Sequence, residues 1–140
     1  MYRKGVTHMS PIRMSKPESA IRVVLELNER FNRHDLTGIS RLLHDSCAVE
    51  ASYPPPDGGV HHGPAAVTGH FRALFDLLPE VQNEIEEIFG FGSRCVTRSK
   101  LSWIADKQQR RSIRSADMYE VKNDLVCGIM SYVKGGYPVG

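Results

Sequence analysis

The spacing of hydrophobic residues changes along the chain, from a helical period in the first half to strict alternation in the second. Ser15 and Glu18 have the spacing of a capping box, with Pro17 tolerated in the first turn of the helix that follows. The predicted core stripe of this helix consists of Ile21, Val24, Leu25, Asn28 and Phe31. Asn28 is its polar member: it either reaches a backbone group near a frayed helix end or supplies a polar atom to an interior pocket.

Two more helices are predicted before the middle of the chain. Asp35 is a suitable N-cap for a short helix, whose buried side would be Leu36, Ile39, Leu42 and Leu43. Gly63 and Pro64 open the next helix, and its apolar stripe consists of Val67, Phe71, Leu74, Phe75 and Leu78. His70 borders that stripe.

Between and after these helices the pattern alternates as it does in strands. The first strand is expected at 47–53, with one face formed by Cys47, Val49, Ala51 and Tyr53. The prolines at 54–56 then require a loop. Later strands are expected at 94–104, 110–122 and 125–133. The segment 80–89 is ambiguous, because its apolar spacing fits a helix better than an imperfect alternation.

Helices early and strands late predict an α+β fold, in which three helices of the N-terminal half pack on a mostly antiparallel, strongly curved sheet. A chain of 140 residues, 41% of them hydrophobic, has the size and composition of one globular domain. We place this domain at 15–134, after a disordered leader at 1–14 and before a flexible tail at 135–140.

The strand at 110–122 carries the main chemical signal. One face consists of Ile113, Ser115, Asp117, Tyr119 and Val121. If this face looks inward, it places a carboxylate among apolar side chains, which is costly unless the group is paired, hydrogen-bonded or used in chemistry. Asp117 is therefore the candidate catalytic residue. The alternative is a structural role in a hydrogen bond, in an ion pair or at a half-open sheet.

Charge and composition argue against several other classes of function. A net charge of +2, without a basic run interleaved with aromatic residues, is not typical of a nucleic-acid-binding protein. No apolar run approaches the ~18 residues of a membrane span. His61 and His62 point in opposite directions as neighbours in an extended segment, so no metal site is predicted.

The three cysteines, Cys47, Cys95 and Cys127, lie far apart in predicted strands. Their odd number and wide spacing fit buried free thiols in a reducing compartment better than a disulfide framework. We therefore expect a cytoplasmic protein.

Four stretches, in their order and spacing, resemble the SnoaL-like branch of the nuclear transport factor 2-like, or cystatin-like α+β, superfamily. They are Phe31–Asp35 with Leu42–Asp45, His62–Val67, Leu78–Glu80 and Arg114–Val121. They are similar to the family's n-x-x-D with l-l-x-x-D, h-G-x-x-A-i, l-P-D and R-x-x-D-x-f-x-v segments. The resemblance covers residues 17–134 and implies a strand at 80–89, since sheet pairing can override local propensity.

The resemblance also implies a cone-shaped fold whose bent sheet and helices enclose an apolar cavity for a small hydrophobic ligand. In SnoaL-like polyketide cyclases the aspartate of the R-x-x-D segment is an acid/base catalyst, and here that role would fall to Asp117. Burial would raise its pKa and suit it to remove a proton beside a carbonyl without a cofactor, as in a cyclase or isomerase. The candidates to bind the substrate or its enolate oxygen are Tyr53, Tyr119, Asn28, His70 and Trp103.

Other activities of the superfamily suggest rival interpretations. A ketosteroid isomerase mechanism needs a second carboxylic acid in the cavity, for which Glu87 is a distant candidate. An epoxide hydrolase of this fold needs an Asp-Arg-Asp relay, and Arg98 is predicted on the outer face. A non-catalytic binding or dimerisation module would use Asp117 structurally, with a filled interior or a paired carboxylate. The resemblance further implies a homodimer through the outer face of the sheet, near Met118, Met130 and Tyr132.

Overall fold

The computed structural model describes residues 15–135, so the predicted leader and most of the predicted tail lie outside the described residues. The helices in this range are α1 (Lys16–Asn32), α2 (Leu36–Arg41) and α3 (Pro64–Leu77). The strands are β1 (Leu43–Glu50), β2 (Val60–His62), β3 (Gln82–Phe91), β4 (Arg94–Ile104), β5 (Arg110–Lys122) and β6 (Leu125–Lys134). The predicted α+β class is confirmed.

The six strands form one mixed sheet with the order β2-β1-β6-β5-β4-β3. Strands β3 to β6 make an antiparallel meander, and β1 joins its far side in parallel with β6. The β1–β6, β3–β4 and β5–β6 pairings each contain a register shift, a feature that locally increases the bend and twist of a strand.

The ambiguous segment after α3 is a strand, as the resemblance implied and against its helical spacing. It pairs with β4 along its whole length, from Gln82 opposite Ser102 to Phe91 opposite Arg94. Pairing satisfies the backbone groups of β3 on that side, and this long-range gain outweighs the local pattern.

Helix α1 begins as predicted but turns a different stripe inward. The Ser15 side chain accepts from the Glu18 N–H, and the Glu18 carboxylate accepts from the Ser15 N–H. Leu25, predicted in the core, is 46% exposed. The buried residues of α1 are Ala20, Val23, Val24, Leu27 and Phe31. Both stripes fit a 3.6-residue period, so only packing on the sheet selects between them.

Strand β1 starts earlier and ends earlier than predicted. Leu43, expected in the second helix, is buried in the strand because it pairs with Val126 of β6. Tyr53, expected at the end of the strand, lies in the loop beyond it. The expected inner face is otherwise correct, since Cys47, Val49 and Ala51 are buried.

The helices pack on the inner face of the sheet, and α1 lies especially close to β3. A Cβ added at Gly90 would lie 2.9 Å from the Pro17 Cβ, so glycine at this position permits the close approach. Cys47 and Cys95 are buried and Cys127 is half-buried, all three as free thiols. None of the helices in residues 15–135 is both long and apolar enough to cross a bilayer.

Candidate functional site

A cavity of about 320 Å³ lies between the inner face of the sheet and helices α1 and α3. Most of its wall is apolar: Leu27, Phe31, Val49, Ala51, Phe71, Ala73, Leu74, Leu77, Leu101, Ile113, Ile129 and Val133. The polar wall residues are Asn28, Ser52, Tyr53, His70, Asn83, Ser115, Asp117, Tyr119 and Ser131. This volume falls at the small end of the ~300–1,000 Å³ range of ligand pockets.

Asp117 is the carboxylate of this wall, and alternation along β5 places it on the inner face as expected. Asp117 is buried, with only 8% of its surface exposed. The Ser115 hydroxyl donates to Oδ2 at 3.2 Å, whereas Oδ1 is buried without a hydrogen-bond partner among the described residues. A buried carboxyl oxygen without a partner is costly for the free protein, and this favours a role toward a ligand.

The electrostatic setting of Asp117 favours its neutral form. Burial raises the pKa of Asp117 above the ordinary value of 3.8. The Ser131 hydroxyl, opposite on β6, and the Ser115 hydroxyl act in the other direction, but burial prevails. The Ser131 hydroxyl lies close to the carboxyl group but does not form a hydrogen bond with Oδ1. No lysine or arginine contributes to the cavity wall within residues 15–135, so no cation offsets the burial.

Tyr119 lies two residues from Asp117 on the same inner face and also lines the cavity. Burial, reinforced by the negative charge of Asp117, raises the pKa of Tyr119 well above its ordinary value of 10.0. The phenol therefore keeps its proton and can donate a hydrogen bond beside the carboxyl group.

Asn28 combines the two roles that the sequence left open. Its amide Nδ2 donates to the backbone oxygen of Asn83 at 3.2 Å, and its Oδ1 accepts from the Asn83 amide at 2.9 Å. It also lines the cavity, as does Asn83. The helix continues to Asn32, so this contact is not made at a frayed end.

His70 lies on α3 at the cavity wall, against His61 of β2, with 4.7 Å between ring centroids. Burial, together with His61, lowers the pKa of His70 to about 4. Its imidazole is therefore neutral near pH 7, with one nitrogen able to donate and the other able to accept.

Of the two remaining candidates, one lines the cavity and the other does not. Tyr53 lines the cavity from the loop after β1. Trp103 faces inward but is 4% exposed within the core and is not part of the cavity wall. Its place on the inner face was predictable, but its distance from the cavity depends on where α1 and α3 cross the sheet.

The charged residues of the rival mechanisms lie outside the cavity. Glu87 is exposed and accepts from the Arg98 Nε at 3.0 Å. Arg98 also bonds Glu86, which in turn pairs with Arg114. These residues form an ion-pair network on the outer face, where Arg98 was expected. They supply neither a second acid nor an arginine to the cavity.

Four polar residues of the cavity wall were not proposed as site residues from the sequence: Ser52, Asn83, Ser115 and Ser131. Ser52 lies just beyond the end of β1. Ser115 shares the face of Asp117, so alternation alone could have identified it. Ser131 depends on the register between β5 and β6, which places it opposite Asp117. Asn83 belongs to the segment with ambiguous periodicity, so the direction of its side chain could not be predicted.

A mostly antiparallel sheet closed by three helices over an apolar cavity is the architecture of the nuclear transport factor 2-like class of proteins. Within that class the chain belongs to the SnoaL-like domain family, whose sequence profile matches residues 24–129, more than half of the chain. No curated protein matches the chain in sequence.

Solved structures share this fold. A protein of unknown function from Mesorhizobium loti, described as NTF2-like, is 27% identical over 89% of this chain and 98% of its own, with a TM-score of 0.74. An LEH-like epoxide hydrolase from M. tuberculosis is 16% identical, covers 87% of this chain and 83% of its own, and has a TM-score of 0.74. A protein with a ketosteroid isomerase-like fold from Catenulispora acidiphila is 9% identical, with coverage of 79% and 83% and a TM-score of 0.71.

Proposed function

We propose that this protein is a SnoaL-like enzyme that binds a hydrophobic carbonyl compound in the cavity and uses Asp117 as a general acid/base. The reaction would be of the polyketide cyclase or isomerase type and would need no cofactor. The observation that carries the proposal is Asp117 itself, a carboxyl group in an apolar cavity with an unpartnered buried oxygen and a neighbouring phenol.

The chemistry starts with proton transfer. In its ionised form Asp117 takes a proton from the carbon next to the carbonyl, the C–H electron pair moves toward the carbonyl oxygen, and an enolate forms. The Tyr119 hydroxyl is suited to donate a hydrogen bond to that oxygen, since both side chains line the same face of the cavity. Asp117, now protonated, returns the proton to another carbon or oxygen. A raised pKa makes the carboxylate a stronger base for the first step.

Asn28, Tyr53 and His70 are proposed to bind the substrate. Each of the three residues lines the cavity, and the neutral imidazole of His70 and the amide of Asn28 can donate without adding charge. Trp103 has no place in this proposal because it does not reach the cavity.

The rival activities have less support. The wall residues within 15–135 include no arginine and no carboxylate besides Asp117. The Asp-Arg-Asp relay of an epoxide hydrolase would need an arginine and a second aspartate, and a ketosteroid isomerase mechanism would need a second carboxylic acid. A non-catalytic module is expected to have a filled interior or a paired carboxylate at Asp117. The open cavity and the missing ion pair at Asp117 support the enzyme instead.

We also infer a homodimer through the outer face of the sheet. The register places Phe89, Val96, Met118 and Met130 in one row across β3, β4, β5 and β6. Phe89 is 56% exposed, and Tyr132 nearby on β6 is 58% exposed. A continuous apolar row on a sheet face is typical of an association surface.

Proton abstraction can be tested without knowing the natural substrate. The protein is incubated in D₂O with a panel of one- to four-ring ketones and enones, and exchange of the protons beside the carbonyl is followed by NMR. We expect at least one compound to exchange faster with the protein. Asp117→Asn should slow that exchange by roughly 100-fold or more, the usual contribution of a general base. The wild-type rate should fall as the pH is lowered through the raised pKa, because the base becomes protonated.

The matched control is Asp57→Asn, which changes an exposed aspartate in the loop before β2. This variant should exchange at the wild-type rate. A wild-type rate in the Asp117→Asn variant, with the fold intact by NMR, would remove Asp117 from the mechanism.

A further inference from the structure

We infer that Asp117 also determines charge selectivity, so that the cavity admits uncharged ketones, esters and lactones and rejects carboxylates of the same shape. This inference rests on the proposed function, because it defines the class of carbonyl compound that the same cavity would take. It concerns binding rather than proton transfer, so it can fail or hold independently of catalysis.

The first argument is the absence of a counter-charge. Among the cavity residues within 15–135 no lysine or arginine is present, and His70 is neutral near pH 7 because its pKa is lowered to about 4. An anion that enters an apolar cavity loses its hydration and needs a cation or several donors in return. The wall has no cation to offer.

The second argument is the position of Asp117 among the polar groups of the sheet. Ser115 donates to Asp117, and Tyr119 and Ser131 lie on the same inner face around it. A ligand oxygen that uses these hydroxyls as donors must therefore approach the aspartate. A carbonyl oxygen can do so, and can also accept a hydrogen bond from a protonated Asp117. A carboxylate would meet either a like charge or a cavity without a cation.

The third argument is size. A volume of about 320 Å³ corresponds to roughly ten water molecules at ~30 Å³ each. A compound of two fused rings therefore fills much of the cavity, and a polar substituent that points inward lies against the cavity wall rather than in bulk water. The charge of that substituent then has a large effect on affinity.

The test uses three probes with one ring system: 2-acetylnaphthalene, 2-naphthoate and 1-(2-naphthyl)ethylamine. The ketone and the carboxylate have nearly the same shape and differ in charge. Dissociation constants are measured at pH 7 by NMR titration of the complete chain, following the methyl signals of Ile113 and Ile129 at the cavity wall. We expect the wild type to bind the ketone and to bind naphthoate roughly 100-fold more weakly or worse, because the anion is desolvated without a partner.

Asp117→Asn should narrow this difference in affinity by roughly tenfold or more, because it replaces a carboxyl group that repels an anion in its ionised form with a neutral amide that can donate. The control Asp57→Asn should keep the wild-type ratio between the dissociation constants of naphthoate and the ketone. The inference is overturned if naphthoate binds the wild type within tenfold of the ketone, if the gap is unchanged in Asp117→Asn, or if the ketone does not bind up to its solubility limit. Tighter binding of the amine than of the ketone would also overturn it, since the cavity would then be a cation site.

The two proposals fail in different ways. Loss of charge selectivity, with proton exchange still dependent on Asp117, would overturn only the present inference. Clear charge selectivity, with exchange that does not depend on Asp117, would overturn only the proposed catalytic role.

Discussion

At the scale of the residue, Asp117 is a buried aspartate without a charged partner among the cavity residues of 15–135, whereas buried aspartates are usually paired. It is buried, it has one hydroxyl donor on Oδ2, and no cation lies in the surrounding wall within the described residues. Burial raises its pKa, so the folded protein holds the proton more tightly than the unfolded chain does. The stability that Asp117 contributes is therefore present below its ordinary pKa of 3.8 and is lost as the pH rises through the raised value.

This sign predicts that Asp117→Asn stabilises the protein at neutral pH. Asparagine cannot ionise, so the cost of a poorly hydrogen-bonded buried charge is removed, a gain of about 1–3 kcal/mol in the free energy of unfolding. The gain should shrink as the pH falls through the raised pKa and below 3.8, where the wild-type carboxyl is protonated in both the folded and the unfolded state. Urea unfolding at several pH values measures both effects, with Asp57→Asn as the unaffected control. A destabilised Asp117→Asn variant at pH 7 would instead indicate the structural role of the binding-module alternative.

At the scale of the element, the side chains of α1 take the place of a neighbouring strand along the edge of β3. The Asn32 Nδ2 donates to the Asn83 backbone oxygen at 3.0 Å, and the Asn32 Oδ1 accepts from the Asn83 N–H at 2.7 Å. Asn28, one turn earlier, donates to the same backbone oxygen. These amides satisfy an otherwise open sheet edge and fix the wall of the cavity at Asn28 and Asn83.

Asn32→Ala should therefore loosen β3 from α1. It removes two hydrogen bonds to the backbone of Asn83, and we expect the free energy of unfolding to fall by about 1–2 kcal/mol. The amide hydrogen of Asn83 should also exchange with solvent faster, because it loses its acceptor. Glu29→Ala, on the exposed side of the same helix, is the control and should leave both quantities unchanged. Unchanged protection of the Asn83 amide would show that Asn32 does not hold the strand.

At the scale of the whole molecule, the two faces of one sheet carry different groups. The inner face carries Asp117 and the cavity, while the outer face carries the apolar row from Phe89 to Met130 and an ion-pair network around Arg98. Alternation along β5 links them, because Met118 and Asp117 are adjacent in sequence and point in opposite directions. An association through the outer face would leave the cavity intact.

The homodimer predicts a molar mass by light scattering of twice the 15.7 kDa of the chain at micromolar concentration. Met118→Lys places a charge in the middle of the apolar row and should shift the protein toward the monomer. Ser112→Lys adds the same charge to the exposed end of the same strand and should remain dimeric. A monomeric wild type would contradict the dimer.

Much of this protein follows from local sequence. The capping box of α1, the Asp35 cap and the bounds of β4 and β5 depend on neighbouring residues, and the structure has them as predicted. Alternation also placed Asp117 and Tyr119 on one face, because side chains in a strand change sides at every residue.

Other features depended on contacts between distant residues. The sequence of 80–89 favours a helix, but pairing with β4 makes it a strand. Leu25 has the spacing of a core position in α1, but packing on the sheet leaves it exposed. Trp103 lies on the inner face as its alternation predicts, but it does not reach the cavity. Ser131 and Asn83 joined the site through strand register and through α1. Local spacing determines which residues share a face, whereas long-range packing decides what that face contacts.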